Sequence, residues 1–307
     1  MKAFSILALA LVIFGHDARA CDVFSGKTID HKTFVGKDFD WSESDGVLKL
    51  INVGDTFQTD SRYSWTVKQA SLSWSMNSLD SGSAIGGMND AGLVIEAVWL
   101  LETVYPPTVN GLPDLGETQW IQEELSESQS VQQVIDHLPL FSIHKLYQPI
   151  HIFLCDPLKC AVIEFLKGVA TVTTDANLLV SALTNMRYAQ GLSMLKQFQD
   201  FGGTRPDTGV SPPERFARET TFLNKNTKAP TLNESSGFAL LKNLSVNQGA
   251  TPTVWTLIYT LEDRKVSVLL KDGTVSAFSL SDLTAQKTAS GVVAKIGNGT
   301  ISAVPDK

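Results

Sequence analysis

A cysteine directly after Ala18-Arg19-Ala20 is the residue of this chain best placed to do chemistry. Cleavage after Ala20 makes Cys21 the first residue, and an N-terminal cysteine carries a nucleophile and a base together. Its α-amino group, with an ordinary pKa of roughly 7.7 to 8.0, can exchange a proton near neutrality with a thiol of about 8.5. Charged partners follow at Lys37 and Asp40, 16 and 19 positions on. A cation beside the sulfur favours the thiolate, and a carboxylate orients the amine or the thiol. Three fates are open to Cys21 on the sequence: catalysis, lipidation as in bacterial lipoproteins, or a plain structural role. Lipidation wants small uncharged residues before the cysteine, and Arg19 fits that poorly. For Lys37 and Asp40 the plain reading is a surface ion pair at a strand end.

Cysteine 21 matters only if the leader is removed, and residues 1–20 have the form of an export signal. Lys2 gives a positive start, Phe4 to Phe14 an apolar run, and Ala18 and Ala20 the small residues of a cleavage site. The segment is too short to cross a bilayer and stay there. A secreted, periplasmic protein is expected, with residues 21–307 forming a single domain. Hydrophobic residues at 43% and charged residues at 19% describe a globular chain rather than a disordered one. A net charge of −7 without a basic run argues against nucleic acid as a partner, and nothing after Ala20 resembles a membrane span. The other two cysteines, Cys155 and Cys160, flank the turn Asp156-Pro157-Leu158-Lys159 between β-rich runs. In an oxidising compartment they are expected to bond across a hairpin, with two buried thiols as the alternative.

A nucleophile at a chain start has to be held by its neighbours, and a returning strand supplies them. Val23-Phe24 and Lys32 to Val35 read as short strands around Thr28 to His31, and Gly36 to Trp41 ends the hairpin. Ala70, Leu72, Trp74 and Met76 alternate with Ser71, Ser73 and Ser75, the pattern of a half-buried strand. Gly92 to Val98, Val169 to Thr173, Leu178 to Leu183, Val254 to Leu261 and Lys265 to Leu270 read as further strands. Helices are expected over Thr118 to Leu125, Ser128 to Leu138, Arg187 to Gln199, Pro213 to Leu223 and Ser235 to Leu244. The loop from Glu102 to Glu117 lacks apolar periodicity and is expected as a flap beside the pocket, and Gly202 to Gly209 forms a second loop.

Several segments, in order, resemble the choloylglycine hydrolase family, N-terminal-nucleophile amidases that include penicillin V acylases, bile salt hydrolases and, more distantly, acid-ceramidase-like enzymes. Cys21, Lys37 and Asp40 have the family's spacing; Gly87-Met88-Asn89-Asp90-Ala91-Gly92-Leu93 resembles GMNxxGL, and Leu183-Thr184-Asn185 resembles LTN. Glu214-Arg215-Phe216-Ala217-Arg218 is similar to SRFxR, and Thr253 to Tyr259 to a late core strand. The resemblance implies an α+β fold, a four-layer αββα sandwich of two antiparallel sheets between helical layers. It implies an amidase forming an acyl-thioester, with no cofactor and no metal, and assembled as a homo-oligomer, a tetramer. Asn185 and the backbone N–H of Trp99 would stabilise the oxyanion. Arg215 would be a polar partner of the site, with Arg218 the alternative. Trp41 and Trp99 would wall the acyl pocket, similar to Gram-negative penicillin V acylases, some of which also cleave N-acyl homoserine lactones; for any single Trp, plain core packing is as good a reading. The chain departs from the family at Lys37, where arginine is usual, replacing a planar fork by a point charge.

The small-molecule partner implied is an N-acyl amide with an apolar acyl group. The competing reading is a lipid-anchored or secreted binding protein that keeps the fold without activity. The spacing of His31, His137, His144 and His151 fits no metal-ligand pattern, and there is no G-x-S-x-G elbow, Walker loop or dinucleotide fingerprint. A papain-like Cys/His pair stays open, although Cys21 lacks that local context.

Overall fold

A computed structural model describes residues 21–303, apart from 44, 248, 271, 298 and 299; the export segment lies outside the described residues. Two antiparallel sheets dominate. One has six strands in the spatial order Ala182–Thr184, Asp22–Lys27, Thr33–Asp40, Thr253–Thr260, Lys265–Leu270 and Val275–Ser279. The other has nine: Val169–Thr174, Cys160–Leu166, Ile150–Cys155, Val94–Trp99, Gly86–Asn89, Ser71–Met76, Gly46–Ile51, Gly291–Gly297 and Thr300–Ala303.

The sheets face each other because their strands alternate. Along Thr33–Asp40, Phe39 points to the opposite sheet, where its ring lies 4.8 Å from that of Trp74. Phe34 and Gly36 point the other way, toward Gly237 and Leu241 of the Glu234–Leu244 helix. That helix and Pro212–Lys228 form one outer layer, and Glu117–Glu127 with Val131–His137 form the other, giving the αββα sandwich. Sequence accounts for the starts of these helices. Ser211 and Glu214 form a capping box before Pro212, and Asn233 caps the next helix.

Cys155 and Cys160 lie opposite each other across the hairpin and are bonded. Other expectations need correction. The Ser71–Met76 strand is buried on both faces, since Glu117–Glu127 covers the side that the serines occupy. The strand expected from Leu178 shortens to Ala182–Thr184, after a 3₁₀ turn at Asp175–Asn177. The helix expected to end at Gln199 stops at Leu195. The second strand of the first hairpin runs unbroken to Asp40, because Thr253–Thr260 pairs along its other edge. Val275–Ser279, Gly291–Gly297 and Thr300–Ala303 escaped the periodicity reading altogether.

Candidate active site

Pairing of the first two strands sets Val23 opposite Lys37 and Asp22 opposite Asp38. Alternation then sorts the charges by face. Lys37 enters the layer between the sheets, whereas Asp38 and Asp40 turn toward the helices. Neither Lys37 nor Asp40 is a surface residue; both are fully buried.

Cys21 is buried and lies at a cavity of about 180 Å³. Phe39, Trp41, Met76, Leu79, Ile85 and Trp99 give the cavity an apolar wall, with Glu43, Glu117 and Tyr147 among its polar lining. Trp41 and Trp99 are thus both among the lining residues. Of the loop expected beside the cavity, Glu102 to Glu117, the lining includes its last residue, Glu117, and a second segment, Tyr147 and Gln148, supplies the rest of that wall. The Glu117 carboxylate accepts the backbone N–H groups of Leu146, Tyr147 and Gln148 at 2.5, 2.8 and 2.7 Å, which fixes that wall. Among the described residues no histidine lines the cavity, so a papain-like Cys/His pair has no support.

The thiol of Cys21 donates to the Asp40 main-chain carbonyl at 3.7 Å, so the contact uses the backbone of Asp40 and not its carboxylate. That carboxylate is bound by Arg215 Nη1 at 2.7 Å and by the Thr253 hydroxyl. Arg215 also pairs with Asp22, clamping the residue after the nucleophile to the end of the returning strand. Burial and the neighbouring Asp38 push the Asp40 carboxyl up, and the Thr253 hydroxyl and Lys37 oppose them. Arg218 is elsewhere, donating to the carbonyls of Asp207, Gly209 and Asn243. The choice between the two arginines thus falls on Arg215. The two side chains share a helix face about one turn apart, and only Arg215 reaches the buried end of the first two strands, Arg218 staying half-buried.

Burial raises the Cys21 thiol above its ordinary pKa, and Lys37 pulls it back. Lys37 Nζ donates to the Ala97 carbonyl at 2.6 Å and lies 4.0 Å from Glu96 Oε2. Asn185 and Trp99 are brought together: Asn185 Nδ2 donates to the Trp99 carbonyl at 2.7 Å. The amide that the resemblance assigns to the oxyanion is therefore tethered to the strand that carries the other assigned donor.

Sequence reasoning missed three buried acids, Asp22, Asp38 and Glu96. Asp22 adjoins the nucleophile, and Asp38 shares a strand face with Asp40 by their two-residue spacing. Glu96 is an acid in phase with Val94 and Val98, an inward position that alternation alone would have flagged. Asp38 is pushed up to about 7 by burial, with Thr256, Ser245 and Lys37 opposing.

No protein-family model matches the chain, and no curated protein matches it in sequence. Solved structures do match. A variant of conjugated bile acid hydrolase from Clostridium perfringens superposes with a TM-score of 0.79 at 16% identity, over 92% of this chain and 99% of that one. A second variant of the same enzyme gives 0.75 at 15% identity, covering 93% and 96%. Penicillin V acylase from Agrobacterium tumefaciens gives 0.74 at 20% identity, covering 93% and 98%. The chain has the fold of these proteins over nearly its whole described length.

Proposed function

We propose that the mature protein is an N-terminal cysteine amidase that hydrolyses the linear amide of an N-acyl substrate. The observation that carries this is Cys21 itself: a buried thiol at the wall of an apolar cavity, next to Lys37 and to the Asp40–Arg215 pair. Export to the periplasm and cleavage after Ala20 belong to the proposal, since only that cleavage frees the α-amine.

The α-amine takes the thiol proton as Sγ attacks the substrate carbonyl, forming a C–S bond and an oxyanion. The Trp99 backbone N–H and the Asn185 amide are assigned to that oxyanion, and Lys37 favours the sulfur anion that precedes it. Collapse breaks the C–N bond, and the α-ammonium returns its proton to the leaving amine. Water, deprotonated by the same amine, then cleaves the thioester, giving the acid and restoring the thiol.

Cavity size narrows the acyl group. A cavity of about 150 Å³ holds benzene, so the space of about 180 Å³ here suits a single aromatic ring or a medium aliphatic chain. Penicillin V and N-acyl homoserine lactones carry such groups, whereas the fused rings of a conjugated bile salt would extend past the mouth of the cavity. The test is a panel of these three substrate types with wild type and Cys21→Ser. Wild type is expected to release amine from the first two faster than from the bile salt, and the variant to lose about 10³-fold or more. Intact mass should give unmodified Cys21 as the first residue. A lipid adduct, another start, or turnover equal to that of the variant on every substrate would remove the amidase and leave a binding protein of this fold.

A further inference from the structure

Glu96 is a carboxylate in the apolar layer between the sheets, and the mechanism above gives it no part. Its strand neighbours in phase, Val94 and Val98, belong to the core there, and Glu96 is fully buried. Oε1 accepts from Trp74 Nε1 at 2.9 Å in its own sheet and from the Tyr259 hydroxyl in the other. Oε2 faces Lys37 Nζ at 4.0 Å. Across the ladder the partner of Glu96 is Gly86, where a Cβ would come within 2.4 Å of Oε2. The glycine leaves the carboxylate its room.

Lys37, for its part, donates to the carbonyl of Ala97, the residue after Glu96. A lone ammonium in such a layer would cost several kcal/mol, and an acid beside it offsets part of that. We propose that Glu96 is a positioning residue of the reaction: it holds the Lys37 ammonium at the Ala97 carbonyl and sets how strongly that charge favours the Cys21 thiolate. This is the partner that a lysine needs where a guanidinium would fix its own direction with five donors. The inference rests on the reading of Cys21 as nucleophile, but its measurement requires no turnover.

The groups facing Glu96 are Lys37 and Tyr259 from the six-stranded sheet and Trp74 from its own sheet. Burial pushes its carboxyl up to about 7, with Lys37 opposing. Falling pH therefore neutralises Glu96 and leaves Lys37 unopposed, which favours the thiolate while the proton concentration disfavours it. Wild type should lose thiolate over a broad range, as coupled groups do.

The experiment is the pH dependence of Cys21 alkylation by iodoacetamide in the mature protein, with near-ultraviolet circular dichroism to check the fold. Glu96→Gln keeps an acceptor for Trp74 and Tyr259 and removes the charge. It is expected to give a single steep step at lower pH, with alkylation at about pH 8.5, where wild-type Glu96 is charged, raised roughly fivefold and alkylation below about pH 6 little changed. Glu96→Asp keeps the charge and should restore the broad wild-type profile. Should Glu96→Gln fail to fold, the double variant Lys37→Met with Glu96→Gln, which removes both charges, is expected to fold and to show a thiol midpoint above wild type. Identical profiles for wild type and Glu96→Gln, or for Glu96→Gln and Glu96→Asp, would overturn the proposal, as would a double variant that folds no better than the single. A shifted thiol without hydrolysis of any amide would keep Glu96 in this role and remove the amidase; hydrolysis with an unshifted thiol would do the reverse.

Discussion

At the scale of single residues, the site is a set of buried charges whose partners are other buried charges. Arg215 joins Asp22 and Asp40, and all three are out of water. Removing one member of such a set leaves the rest uncompensated, at a cost of about 3–5 kcal/mol. Arg215→Met is therefore expected to lower unfolding free energy by that amount in a denaturant titration, and a loss below about 1 kcal/mol would mean that the clamp is not ionic. Asp38 adds a pH dependence. Its folded value of about 7 lies above the roughly 3.9 of an unfolded aspartate, so the folded state binds the extra proton between them. The stability this acid contributes is present below about pH 4 and lost as pH rises through about 7. Asp38→Asn should gain on wild type between about pH 5 and about pH 8, compared by denaturation midpoints; a difference that stays constant over that range would contradict a raised Asp38.

At the scale of elements, strands bring the charges and a loop closes the pocket. The Leu146 to Gln148 segment is held by one carboxylate receiving three main-chain donors. Hydrogen bonds to a charged acceptor are worth about 1.5–3 kcal/mol, so Glu117→Gln, which offers one acceptor and a competing donor, should loosen the wall. KM for the best substrate is expected to rise about tenfold with kcat within twofold, and an equal fall in kcat would place Glu117 in the chemistry instead. Element types were legible wherever a period ran long enough: the helices at Pro212–Lys228 and Glu234–Leu244 and the strand at Lys265–Leu270 were all readable from pattern and caps. The flap was not. Residues 102–117 and 145–149 are equally irregular in sequence, and the second reaches the cavity through the Glu117 carboxylate that ends the first.

At the scale of the whole molecule, the two sheets meet through an aromatic cluster that also supports the site. The Trp255 ring lies 4.6 Å from Phe39 in its own sheet and 5.6 Å from Trp74 in the other, and Trp74 holds Glu96. Trp255→Ala should cost about 3–5 kcal/mol. Because the packing spans both sheets, loss of far-ultraviolet circular dichroism and loss of activity should coincide in one transition. Activity lost well before secondary structure would show that the sheets separate first.

The sequence by itself determined the position of Cys21, the candidacy of Lys37 and Asp40, the hairpin that joins Cys155 to Cys160, and the order of segments that resembles a known fold. These are local facts, since strand alternation and turn chemistry depend on residues a few places apart. Tertiary structure alone decided that Arg215 and not Arg218 meets the site, that Asp22 and Asp40 share it, and that Glu96 faces Lys37. Each of those pairings depends on which strands lie side by side: Thr253 reaches Asp40 across 213 residues of chain, and Tyr259 reaches Glu96 across 163. A buried charge takes the partner that the packed sheets place within reach, and no window along the chain contains both.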